Sequence, residues 1–155
     1  METVSERLPQ IKVDVYKDAI NYWAACNHKS MQSMDWTTMI EPEVVREISG
    51  KTSEEANEFL IPYLQKKHLE KTTEIEQFKE FVLKEFGEKF EAGCNKLKQV
   101  MSGHELYRDD FTIFITTIGR CPYNKENGWV WLGMKNADPV RTFLHELCHF
   151  QFIHY

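Results

Sequence analysis

The sequence lacks any run of about 20 apolar residues, the length that a helix needs to span a bilayer, and its acidic start does not fit a signal peptide. It also lacks a basic tract, because 19 Lys and Arg residues are spread among 24 Asp and Glu residues, for a formal charge of −5. We therefore expect a soluble, cytoplasmic protein with neither nucleic acid nor membrane as a partner.

Paired cysteines are missing as well. The four cysteines lie far apart and form no Cys-x-x-Cys motif: Cys26, Cys94, Cys121 and Cys148. A disulfide scaffold would need a denser pattern, so reduced thiols are expected.

The length and composition favour a single domain over residues 1–155. A chain of 155 residues, 42% of them hydrophobic, has room for one sizeable core. Residues 1–105 are predicted to be mainly helical. Thr52 and Glu55 predict a capping box there, and an apolar stripe from Ile75 to Met101 predicts a long amphipathic helix.

Two strands and a helix are predicted in residues 106–155. The runs "FTIFITTI" (111–118) and "WVWLGM" (129–134) are rich in β-branched and aromatic residues. The turn-like segment between them predicts that they pair as an antiparallel hairpin. Asp138 then suits an N-cap, and Pro139 suits the first position of a helix. The predicted fold class is α+β.

That last helix carries "HELCH", residues 145–149. Residues four apart lie on the same side of a helix, so His145 and His149 can offer two imidazole nitrogens to one metal ion. Glu146 lies beside them and can act as a general base toward a water on that metal. The implied reaction is hydrolysis of a peptide or another amide, with Zn²⁺ as the cofactor.

Strand, turn, strand and a helix with "HELCH" resemble the zincin metallopeptidases, in an arrangement similar to the gluzincin or minigluzincin catalytic core. The resemblance covers about residues 106–155 and implies a small antiparallel sheet packed on the motif helix. It implies His145 and His149 as zinc ligands, Glu146 as the general base, and a peptide or protein substrate. The strand "GWVWLGM" would form the edge of the cleft and pair with extended substrate.

A third zinc ligand is missing from this pattern. Metzincins have a glycine and a third histidine where this sequence has Phe152 and Tyr155, which excludes that subclass. Gluzincins take their third ligand from a glutamate on a later helix, so we expect the sequence to be truncated after the motif helix. Cys121 and His154 are the other candidates, although His154 lies about 140° around a continuous helix from His149.

Two interpretations therefore stay open. The first is a zinc-dependent hydrolase, complete only if a third ligand comes from Cys121, His154, a partner chain or missing sequence. Metal content would distinguish it from the second. The second is a non-catalytic helical binding or structural module, with the stripe from Ile75 to Met101 packed on a partner, or an inactive fragment without the third ligand. The remaining histidines have no partners at metal-site spacing and are predicted to be solvated: His28, His68 and His104.

Overall fold

The structure is a computed structural model that describes residues 8–27, 40–100, 111–118, 124–125, 128–134 and 136–153. Its helices are α1 (Val15–Asn27), α2 (Pro42–Ile48), α3 (Ser53–Glu70), α4 (Thr72–Val100) and α5 (Pro139–Ile153). Its strands are β1 (Gln10–Lys12), β2 (Thr112–Thr116), β3 (Asn124–Lys125) and β4 (Trp129–Gly133). Helices combined with a small sheet agree with the predicted α+β class. Within the described ranges, no helix is both long and apolar enough to cross a membrane.

The four strands form one sheet in the order β1-β2-β4-β3. β1 pairs with β2 in parallel. β2 also pairs with β4 in parallel, so that Thr112 lies opposite Trp129 and Thr116 lies opposite Gly133. β3 pairs antiparallel with β4 at the outer side of the sheet.

The predicted antiparallel hairpin is wrong. The two predicted strands do lie side by side, as β2 and β4, but they run parallel. Parallel neighbours need a connection of about a dozen residues, and residues 117–128 supply that length. Part of the segment predicted as a turn is strand β3, which takes the antiparallel place beside β4.

One face of the sheet packs on the helices α1, α2 and α3. Phe114 and Trp131 of the central strands are buried on this face. They join a cluster that includes Tyr22 of α1, Val44 of α2 and Leu60 of α3. This cluster is one half of the hydrophobic core.

The opposite face of the sheet packs on α4 and α5. The alternate strand residues are buried there, beside the phenylalanines of those two helices: Ile113, Ile115, Val130 and Leu132. Because helices cover both faces, β2 and β4 are nearly continuous apolar runs, the pattern of buried parallel strands.

The predicted long amphipathic helix is confirmed as α4. Its stripe is buried within the chain's own core through Ile75, Phe78, Val82, Phe86, Phe90 and Cys94. The side chain of Leu97, and Met101, lie outside the described residues. The stripe therefore supports the sheet and the motif helix of this same chain.

Candidate functional site

The motif helix begins where the sequence predicts. Pro139 is the first residue of α5, and the N–H of Arg141 donates to Oδ1 of Asp138 over 3.3 Å, as expected of an N-cap. The side-chain nitrogen of Asn136 donates to Oγ1 of Thr142 at 2.9 Å. Hydrogen bonds thus tie the start of α5 to the segment that follows β4.

Aromatic packing sets the orientation of α5. Phe143 is fully buried. The centroid of its ring lies 5.5 Å from that of Phe86, 5.9 Å from that of Phe90 and 5.6 Å from that of Phe111. The side of α5 that carries Phe143 therefore faces α4 and the sheet.

The two helices approach closely at Gly93 of α4. A Cβ atom at this position would overlap Cδ1 of Leu144 and lie 3.8 Å from Cγ1 of Val140. Glycine allows this approach because it has no side chain to displace. The first two turns of the motif helix therefore pack directly against α4.

The backbone of α5 places His145 and His149 one turn apart, with Glu146 nearer to the core. The helix is unbroken from Pro139 to Ile153. His145 and His149 therefore differ by about 40° around its axis and about 6 Å along it. His145 lies about 200° around the axis from Phe143, and its side chain is exposed. Glu146 lies about 60° from Phe143, and its side chain is only 5% exposed.

The described residues fit zinc in their donor chemistry but supply an incomplete shell. Imidazole nitrogen is a preferred zinc donor, and two imidazoles fill half of a tetrahedral shell. Among the side chains that the structure describes, no group of three or more His, Cys, Asp or Glu residues comes together as a metal site. The side chain of His149 lies outside that part of the chain, as do the third-ligand candidates Cys121 and His154.

The strand expected at the edge of the cleft lies inside the sheet. β4 has β2 on one side, and β3 pairs with its residues Trp129 and Val130 on the other. Among the described strands, β3 stands at that outer edge. The expectation that "GWVWLGM" forms the open edge is therefore wrong for Trp129 and Val130, beside which β3 lies.

A polar cluster that the sequence did not predict lies at the carboxyl end of β2. Asp18 of α1 is fully buried, and its Oδ1 accepts a 2.6 Å hydrogen bond from the hydroxyl of Thr116. Its Oδ2 accepts a 2.7 Å hydrogen bond from the hydroxyl of Thr117 and lies 2.8 Å from Nε2 of His68. The cluster joins α1, α3 and the end of β2.

The prediction that His68 is solvated is wrong. Its side chain is 11% exposed and meets the Asp18 carboxylate. One signal in the sequence indicated the cluster, because Asp18 shares the apolar side of α1 with Val15 and Tyr22. A carboxylate in that position needs hydrogen-bond donors once it is buried. The spacing did not identify those donors, which come from distant segments.

Tyr22 extends this cluster. Its hydroxyl oxygen lies 2.8 Å from Oγ1 of Thr117 and accepts a 2.9 Å hydrogen bond from Nζ of Lys67. Burial, together with the nearby Asp18 carboxylate, raises the pKa of Tyr22 well above its usual value. The phenol therefore stays protonated at neutral pH and serves as a hydrogen-bonding group within the fold.

No protein-family model matches the chain, and no curated protein or solved structure matches it significantly. The function is therefore inferred from the chain's own residues and their arrangement.

Proposed function

We propose that the chain carries the zinc-binding helix of a zincin-type hydrolase that cleaves peptides or other amides. One observation carries this proposal. The helix α5 is unbroken through the motif, with an exposed His145 and a nearly buried Glu146 at successive positions. Two histidine positions one turn apart, with a carboxylate beside them, would supply two zinc ligands and the general base of such a hydrolase, with a third ligand still to be added.

In this proposal His145 and His149 hold the ion, and Glu146 moves the proton. Zinc bound there would supply a Lewis acid that polarises the scissile carbonyl. Glu146 would accept a proton from the attacking water and pass it to the leaving amine. Packing restricts the side chain of Glu146, which favours one position of the carboxyl group for both transfers.

The edge of the sheet suits an extended substrate. The outer side of β3 has no partner strand among the described residues. An extended peptide could add there through main-chain hydrogen bonds. This edge is separated from the motif helix by little chain, because β3 pairs with β4 and β4 is the strand that precedes α5.

The test is zinc content after mild dialysis, followed by a peptide-cleavage screen. Wild type should retain zinc, and His145→Ala and His149→Ala should each abolish stoichiometric zinc, because one protein ligand is readily replaced by water. Arg141→Ala is the matched control, since Arg141 is exposed on the same helix. Zinc that is unchanged in the His149→Ala protein would refute the ligand assignment.

A non-catalytic binding module is the alternative proposal. The amphipathic stripe of α4 does not favour it, because the buried residues of that stripe are covered by the chain's own sheet and by α5. A wild-type protein that folds cooperatively, binds no zinc and cleaves no peptide would favour this alternative.

A further inference from the structure

A cavity of about 420 Å³ opens at the carboxyl ends of two parallel strands. Thr117, which follows β2, and Met134, which follows β4, form one wall. The rest of the lining comes from the start of α4, between Lys71 and Phe81. Its volume falls in the range of small-molecule sites, about 300–1,000 Å³.

The position of this cavity in the topology is one where ligands bind. The helix that follows β1 packs on one face of the sheet, and the helix that follows β4 packs on the other. In open parallel sheets, ligands bind outside the carboxyl ends of the strands. The cavity lies at the carboxyl ends of the neighbouring strands β2 and β4, between Thr117 and Met134.

The floor of the cavity is apolar and partly open. Phe78 is buried, while Phe81, whose ring centroid lies 6.1 Å from that of Phe78, is 38% exposed. Met134 is half-buried beside them. A ligand with an apolar group would remove part of this surface from water, at about 25 cal/mol per Å².

The rim carries one charge of each sign. Nζ of Lys71 lies 3.5 Å from Oε2 of Glu74, and the two side chains are 42% and 63% exposed. Both charges remain accessible to a ligand. Adjacent positive and negative groups complement a molecule that carries a carboxylate and an ammonium group on the same carbon atom.

The opposite wall is held in place by the buried cluster. The hydroxyl of Thr117 donates to Asp18, and the N–H of Thr117 lies 3.3 Å from each oxygen of the same carboxylate. A wall fixed by such bonds loses little conformational freedom when a ligand binds. The cavity therefore combines a fixed wall, an apolar floor and a rim with both charges.

We propose that this cavity binds an apolar α-amino acid. The carboxylate of the ligand meets Lys71, its ammonium group meets Glu74, and its side chain covers Phe78, Phe81 and Met134. This site lies on residues other than those of the zinc proposal and does not depend on it.

The experiment is a titration of the zinc-free chain of residues 1–155 with L-phenylalanine, monitored through amide chemical shifts. We expect saturable shifts confined to residues around the cavity, with a dissociation constant on the order of 1 mM. Phenylacetate lacks the ammonium group, phenethylamine lacks the carboxylate, and glycine lacks the apolar side chain. Phenylacetate and phenethylamine should each bind more weakly by up to about fivefold, the upper range of one exposed charge pair. Glycine should also bind more weakly, because it removes no apolar surface from water.

Two variants test the location. Gln77 lines the cavity and is exposed, so Gln77→Trp should fill the space and weaken binding at least about tenfold. Gln65→Trp, at an exposed position of α3, is the control and should bind as wild type does. Lys71→Glu should weaken phenylalanine binding about fivefold or more, whereas Lys66→Glu should not.

Three results would overturn the proposal. The first is the absence of saturable shifts with L-phenylalanine. The second is binding of phenylacetate or phenethylamine as tightly as phenylalanine, which would exclude recognition of both charges. The third is wild-type affinity in both Gln77→Trp and Lys71→Glu, which would place the ligand elsewhere.

Discussion

Oδ2 of Asp18 lies 2.8 Å from Nε2 of His68, across fifty positions of sequence. The same carboxylate also accepts hydrogen bonds from the hydroxyls of Thr116 and Thr117. One buried side chain thus connects two helices to the end of a central strand. The connection is local in space but depends on three separate parts of the chain.

Removing this carboxylate should destabilise the fold strongly. Asp18→Ala leaves the hydroxyls of Thr116 and Thr117 and the ring of His68 without this acceptor, and each buried polar group left without a partner costs about 1–3 kcal/mol. Urea unfolding followed by circular dichroism measures the effect. Glu58→Ala, at an exposed position of α3, should stay within about 0.5 kcal/mol of wild type. A loss below about 1 kcal/mol in Asp18→Ala would show that the cluster contributes little.

The two helical glycines of α4 should respond in opposite directions to alanine. At Gly87 a Cβ meets nothing within 4 Å, so Gly87→Ala should stabilise the chain by about 0.5–1 kcal/mol through helix propensity. At Gly93 a Cβ overlaps Leu144, so Gly93→Ala should be less stable than Gly87→Ala by about 1–3 kcal/mol. Thermal unfolding of both variants measures the difference in stability. Equal stabilisation by the two substitutions would show that Leu144 moves aside freely.

The capping box of α3 should make the stability of the fold depend on pH in the acidic range. The backbone N–H of Thr52 donates to Oε1 of Glu55 at 3.2 Å, and this bond lowers the pKa of Glu55 below its usual 4.5. Because the pKa of Glu55 is lower in the folded state, its ionised form stabilises the fold at pH values above the unfolded-state pKa. This contribution is lost as the pH falls through the folded-state pKa. Glu55→Gln should thus be less stable than wild type at neutral pH, with a difference that shrinks below pH 4.5. A difference that is constant across that range would contradict the assignment.

Glu146→Gln should separate metal binding from catalysis. The amide keeps the shape of the side chain and leaves His145 and His149 in place, so zinc content should stay at the wild-type level. Loss of the base should lower any peptide hydrolysis by a factor of about 10² or more. Elemental analysis and cleavage assays of the same preparations measure both quantities. Full activity in Glu146→Gln would assign the base to another group.

Local patterns predicted the elements better than their pairing. Apolar runs placed β2 and β4, the stripe from Ile75 placed α4, and Asp138 with Pro139 placed the start of α5. The direction of strand pairing was missed because a segment of turn-like composition also has the length of a parallel connection. The strand β1 was missed because three residues give too short a pattern.

The polar cluster could not be derived from spacing for a different reason. Asp18 is recognisable as a carboxylate on an apolar helix side, but its donors come from α3 and β2, and their approach is decided by packing. The helix of the motif, in contrast, was predictable, because the relation between His145 and His149 is set within a single turn.

The central strands divide their side chains between two layers, with Phe114 and Trp131 on one face and Ile115 and Leu132 on the other. The backbone of β2 and β4 is thus a shared support for the motif helix and for the helices across the sheet. A shift of either strand displaces both layers at once. The position of α5, which carries His145 and Glu146, therefore depends on the packing of both layers.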